Sequence, residues 1–236
     1  MDEKTETLQQ AAAPPDAQAP SQSLTSRIHA RLRADILAGR LEPGRKLKIE
    51  DLRKSYGIGA SPIREALSHL ASDRLVERLD QRGFRVADVS SREFNELRLT
   101  RCWLEERALR ESIAHGGSDW EECVVLAAYR LSGVPWSNSA DEFVANGEWE
   151  VFHKAFHMAL ISACGSAILL RFCNQLYDQN IRYRVLSNRA AYRQRDSKAE
   201  HEAIKEAVLA RDADLAVERL LAHYARTGSY LIGQFD

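Results

Sequence analysis

Apolar positions recur at helical spacing from Thr25 onward. Ile28, Leu32, Ile36 and Leu37 form one face of a first helix, with Arg27, Arg31 and Arg33 on its other faces. Gly39 stops it, and LEPG (41–44) reads as a turn. Leu52 and Tyr56, four apart in IEDLRKSYGI, predict a short second helix that Gly57 ends. A third follows in SPIREALSHL, where Ile63, Leu67 and Leu70 make the apolar stripe, Ser61 is placed to cap and Pro62 suits the first helical position. Then the period changes: residues 75–79 and 84–86 read as short strands around DQRG. Beyond Ser91 only helical patterns remain, over 91–115, 118–132, 138–163, 166–187, 192–211 and 213–231, broken at HGGSD, SGVPWSN, CGS and ARDAD. The pattern predicts a mainly α protein: three short helices and a hairpin over 25–89, then an all-α antiparallel bundle over 90–236. Residues 1–24, rich in Ala, Gln, Pro and Ser, bury too little to fold and are expected to form a disordered tail.

Composition sharpens this division. The chain has 236 residues, 44% hydrophobic and 28% charged, with net charge −1. Residues 25–89 carry fourteen Lys/Arg against nine Asp/Glu, a net +5, whereas the segments on either side are each net −3. A basic unit joined to an acidic one points the first towards a polyanion. No apolar run reaches 18 residues, the acidic N-terminus lacks a signal-peptide core, and the four cysteines form no CxxC pair. These features imply a protein of a reducing cytosol with no membrane span.

Two short helices joined through a glycine turn, followed by a hairpin, make a winged helix-turn-helix. Such a head sets the start of its third helix against base edges. The candidates are Ser61, Pro62 and Arg64, with Ser68 one turn on. Arg82 and Gly83 at the wing tip suit a minor groove, and Lys46, Lys48, Arg53 and Lys54 suit phosphates. A second constellation lies in FHKAFHMAL, where His153 and His157 share a helical face. His201 and His223 stand equidistant from the ARDAD turn, so they sit at one height on the two arms of a helical hairpin. Four imidazoles that meet can hold one metal ion. Lys154 stands where a metalloprotease helix has its Glu, and no nucleophile elbow or phosphate loop is present, so a regulator is expected rather than an enzyme. A metal-dependent hydrolase with a vestigial head remains the rival reading.

The first segment resembles the GntR family of bacterial transcription regulators. The resemblance rests on ILAGRLEPG, LRKSYGI, SPIREALSHL and the RGFRV wing, in order over some 65 residues. The helical remainder resembles the FadR-type (FCD) ligand domain. This implies a homodimer on palindromic double-stranded operator DNA, most often as a repressor, with Ser61, Pro62, Arg64 and Gly83 at the DNA. Ala60 departs from the basic residue many members carry there. The resemblance also implies a divalent metal on His157, His201 and His223, with His153 where the family usually has a carboxylate. A neutral donor in place of an anion favours Zn²⁺ or Ni²⁺ over Mn²⁺. The implied effector is a small carboxylate, held by Arg101 in its R-x-x-L-E setting, with Arg182 and Arg184 as further candidates. GGSDWE, HKAFHMALISACGS and QLYDQNIRYR resemble a branch of the family that governs glutarate catabolism, implying a dicarboxylate such as glutarate. A regulator whose metal is purely structural is the other alternative. Trp103, Trp149 and Tyr129 are expected in the core or in a pocket wall.

Overall fold

The structure is a computed structural model that describes residues 23–80 and 82–231; the predicted tail up to Gln22 and the last five residues lie outside them. The head contains helices α1 (Leu24–Leu37), α2 (Ile49–Tyr56) and α3 (Ala60–Ser72). Its strands are β1 (Lys46–Leu47), β2 (Val76–Leu79) and β3 (Gly83–Val86), in sheet order β1-β3-β2 and antiparallel throughout. Lys46 pairs with Arg85 and Leu47 with Phe84. At two residues β1 is too short to leave an alternation, which is why the sequence pattern misses it.

The helices form where side chains satisfy their ends and one face is buried. The Ser23 hydroxyl accepts from Ser26 N to start α1, and Ile28, Leu32, Ile36 and Leu37 are buried. Gly57, at φ +65°, ends α2 in the left-handed conformation that L side chains resist. In α3 the expected cap is wrong. The helix starts two residues early, with Gly59 in the capping position and no side-chain cap bond, so Ser61 is the second helical residue and Pro62 the third. Pro62 is tolerated there because the first turn's N–H groups have no intrahelical partner to lose.

The bundle consists of α4 (Ser91–His115), α5 (Ser118–Ser132), α6 (Gly147–Leu160), α7 (Ala167–Ala191), α8 (Ser197–Leu209) and α9 (Ala213–Ser229). Helix α4 packs on α7 and α9, α5 on α6 and α8, and α8 on α9. Three predicted spans are corrected. Residues 138–146 are not helical: the Ser137 hydroxyl accepts from Ser139 N and Val144 N, and these local bonds compete with a helix. Asn146 then caps α6, accepting from Glu148 N at 3.0 Å. Helix α7 runs on to Ala191 because Ser187, Asn188 and Ala191 are buried, with the Ser187 hydroxyl donating to Thr227 O. The next helix starts late. Arg193 takes φ +67°, and Asp196 caps α8 by accepting from Ala199 N.

The head and the bundle share buried surface. Tyr177, Ile181 and Val185 of α7 join the same apolar cluster as Ile28, Leu32 and Leu67 of the head. The Arg33 guanidinium of α1 pairs with Asp178 of α7 at 3.0 Å. Among the described residues no helix is long and apolar enough to cross a membrane.

Candidate metal centre and nucleic-acid interface

Helix α6 places His153 and His157 one turn apart on its buried face, and the α8–α9 hairpin brings His201 and His223 to within 4.8 Å between ring centroids. All four are buried, and one ring nitrogen from each lies within 4.8 Å of the others.

The hydrogen bonds around the cluster fix which nitrogen faces inward. Burial raises the Tyr177 phenol well above its ordinary value, so it stays protonated and donates to Glu150 at 3.0 Å. Its oxygen then accepts from His153 Nδ1–H at 2.6 Å. Tyr224 repeats the arrangement, donating to Glu105 and accepting from His157 Nδ1–H at 3.1 Å. His223 Nδ1–H donates to the Glu200 carboxylate at 2.8 Å. Arg195 Nη2 also lies 3.2 Å from that nitrogen, but its N–H groups are used by Glu200 and by His223 O. Burial opposes ionisation of Glu200, yet the hydrogen bonds from His223 and Arg195 together hold its carboxyl well below the usual range. Three imidazoles therefore send Nδ1–H outward and aim Nε2 lone pairs inward.

Two of those lone pairs, His153 Nε2 and His157 Nε2, stand 3.2 Å apart, and His201 Nε2 is buried with no hydrogen-bond partner among the described residues. Two acceptors in contact repel each other unless a cation lies between them. Protons are a poor candidate for that cation. Burial, reinforced by the neighbouring imidazoles and guanidinium groups, pushes His153, His157 and His201 well below the ordinary value and His223 down to about 4. A metal ion fits. At the usual Zn–N length of ~2.0–2.1 Å, tetrahedral donors stand roughly 3.3 Å apart, close to the His153–His157 separation. Four neutral nitrogens suit Zn²⁺, Ni²⁺ or Cu²⁺ better than Mn²⁺ or Ca²⁺. The outward acceptors Tyr177, Tyr224 and Glu200 are the orienting partners that metal-binding imidazoles need.

The candidate carboxylate arginines separate. Arg101 is buried rather than at the surface; it pairs with Glu105 at 2.8 Å and donates to Tyr224, so it buttresses the His157 acceptor. Arg184 is buried beside Tyr177 and paired with Glu150, while its Nε has no partner among the described residues. Arg182 does not reach the cluster: it pairs with Glu93 and donates to Arg74 O, facing the head. Trp103 and Tyr129 are 67% and 74% exposed, so neither lines the core. Trp149 does, stacking on His153 at 4.4 Å between centroids.

Sequence reasoning missed Tyr177, Tyr224, Glu200 and Arg195. Glu200 directly precedes His201 and Tyr224 directly follows His223, and that adjacency was the available signal.

On the head, Lys46, Lys48, Arg53, Ser61, Arg64, Arg82 and Gly83 are exposed and Pro62 is half-buried. Gly83 takes φ +92° at the wing turn, where a side chain would be strained. Arg53 pairs with Glu50 at 2.9 Å. Ser68 is not free to probe a base. It donates to Arg64 O and accepts from Arg78 Nη2, tying α3 to the wing.

Comparison with known proteins agrees with this architecture. The family described as bacterial regulatory proteins, gntR family, matches residues 24–86, and the FCD domain matches residues 96–226. The chain is 42% identical over 204 residues to an uncharacterized HTH-type transcriptional regulator, BphR, of Paraburkholderia xenovorans, covering 85% of this chain and 82% of the relative. It is 35% identical over 196 residues to the HTH-type transcriptional repressor GlaR of Escherichia coli, covering 81% and 88%. In fold it is similar to Escherichia coli McbR/YncC, with a TM-score of 0.71 at 20% identity over 91% of this chain and all of that one. These relatives are named as regulators, and none as an enzyme. The chain belongs to the GntR family: it is a DNA-binding transcription regulator with a winged helix-turn-helix head and an FCD helical domain.

Proposed function

We propose that this protein is a cytoplasmic, homodimeric repressor whose helical domain holds a divalent metal, Zn²⁺ by preference, and binds a small carboxylate that weakens its grip on operator DNA. We place the boundary between the two units at residues 89 and 90. The observation that carries the sensor half is the convergence of imidazole lone pairs on one point inside the bundle. The repressor sign rests on GlaR, which is named a repressor. At the operator, Arg64 and the exposed start of α3 take the base edges, Arg82 and Gly83 the minor groove, and Lys46, Lys48 and Arg53 the phosphates.

When bound, the metal supplies a Lewis-acidic point for an anion. The chain's own groups do the rest. Arg184, buried beside Tyr177 with an Nε that has no partner among the described residues, adds positive charge that draws an anion towards the cluster. Asp178 gives a route to the head: one of its oxygens accepts from Lys154, next to His153, at 2.7 Å and from Arg33 of α1 at 3.0 Å. A shift of α6 that draws Lys154 away changes the hold on α1. A coupling of ~1–3 kcal/mol suffices for regulation of this kind.

A second reading rests on the donor count. Four imidazoles already complete a tetrahedral shell, as in closed structural zinc sites, and the metal would then only fasten α6 to the α8–α9 hairpin. One titration separates the two. Full-length metal-loaded protein is bound to a fluorescent fragment of its own promoter, and glutarate and related carboxylates are added. A fall in affinity of roughly 5–150-fold fits the sensor, and an unchanged affinity with every carboxylate fits the structural metal.

A further inference from the structure

We infer that the effector is a carboxylate with an aromatic or comparably bulky apolar body, seated against Trp136 and Trp149, rather than a short dicarboxylate. This rests on the carboxylate-sensor reading above and names the chemistry of its ligand. A cavity of about 470 Å³ lies where residues 133–136 pass over the start of α8, within the range of small-molecule sites. Leu131, Val134, Trp136 and Trp149 give it an apolar side. The two indoles meet at 46° with centroids 6.4 Å apart, an open angle rather than a closed stack. Trp149 is fixed from behind by its stacking on His153, and His201 lines the cavity's inner side. A molecule in this cavity is thus separated from the histidine cluster by the ring whose Nε2 lacks a partner.

The cavity's charges favour one anionic group. Arg195 is committed to Glu200, Glu202 to Lys205, and Asp196 to the cap of α8. Lys198, in the first turn of α8 where the helix dipole also favours an anion, has no ion pair among the described residues. One spare cation beside the half-buried Trp136, with the buried Trp149 at the cavity wall, suits a single carboxylate carried on a ring. A five-carbon dicarboxylate would bring a second anion to an apolar wall and leave the exposed part of Trp136 uncovered.

The test is calorimetric titration of zinc-loaded full-length protein with 3-phenylpropanoate and with glutarate. Two variants accompany it: Trp136→Ala, which removes one wall, and Ser132→Trp, at an exposed lining position, which fills the mouth without disturbing the core. The expected result is that phenylpropanoate binds about tenfold or more tightly than glutarate and that both variants erase the preference. Equal or tighter binding of glutarate, or a preference that survives Ser132→Trp, overturns the inference and leaves the sensor reading standing. Binding of neither compound overturns both. An aryl preference retained after the metal is stripped upholds this cavity and removes the metal from the sensor reading.

Discussion

The head and the histidine centre put polar side chains to use in opposite environments. On the head, Arg64, Lys46, Lys48 and Arg82 are exposed, and the fold beneath them is an apolar cluster of Ile63, Leu67 and Leu70 that needs none of them. In the bundle, the four imidazoles are buried and each change of charge there meets a low-dielectric surround, so every nitrogen must be accounted for. Removing a side chain from the first surface leaves the apolar core beneath it intact. Removing His153, His157 or His223 from the second orphans the phenol or carboxylate behind it. Function and stability are separable on the head and entangled in the bundle.

The sharpest way to break this contrast is His201→Ala. It takes a donor from the centre and should cut metal affinity by at least ~100-fold, at or beyond the upper end of the ~10–100-fold that outer partners cost, measured by competition against a chelating dye. Salt-sensitive binding to non-operator DNA should be unchanged. Next is Arg64→Ala, for which we expect a loss of about 1–3 kcal/mol in operator affinity by fluorescence anisotropy with metal content unaltered. A metal loss in that variant would show the regions are not separable. Third, Tyr177→Phe keeps the ring and removes the acceptor for His153 Nδ1–H, so metal affinity should fall about tenfold; no change would release His153 from the donor set. The smallest effect is on pH dependence in the metal-free protein. His223 stays neutral in the folded chain down to about pH 4 but ionises near 6.5 when unfolded. Between those values the unfolded state binds more protons, so stability should fall as pH drops from about 6.5 towards 4. Urea midpoints across that window check the sign, and a midpoint that rises on acidification would refute it.

What was legible in the sequence follows the same contrast. The head declares itself by turns and glycines that short-range geometry demands, such as Gly57 and Gly83, and by basic residues that nothing buries. The histidines declare themselves by spacing: i, i+4 on α6, and symmetry about Arg211–Asp212 for the other pair. Glu200 and Tyr224 adjoin two of them in sequence, but the other supporting atoms come from elsewhere in the chain. Tyr177 and Glu105 reach the cluster only because α7 and α4 pack beside it, and no local period announces that. The same limit misplaced Arg182. Its neighbour Arg184 lies two residues on, yet in α7 a step of two turns the side chain well round the axis, from the cluster towards Glu93 and the head. The residues before α6 misled for another reason, since Ser137 and Asn146 spend their side chains on the backbone and hold a loop where the apolar spacing alone suggested helix.

The central claim is that imidazoles from α6, α8 and α9 share one cation. X-ray absorption at the metal edge of purified full-length protein, with metal content measured on the same sample, tests it most directly. We predict one zinc per chain with a shell of nitrogen or oxygen neighbours at ~2.0–2.1 Å and imidazole scattering beyond it. Zinc well below one per chain after zinc loading, or a shell dominated by sulfur at ~2.3 Å, would contradict it.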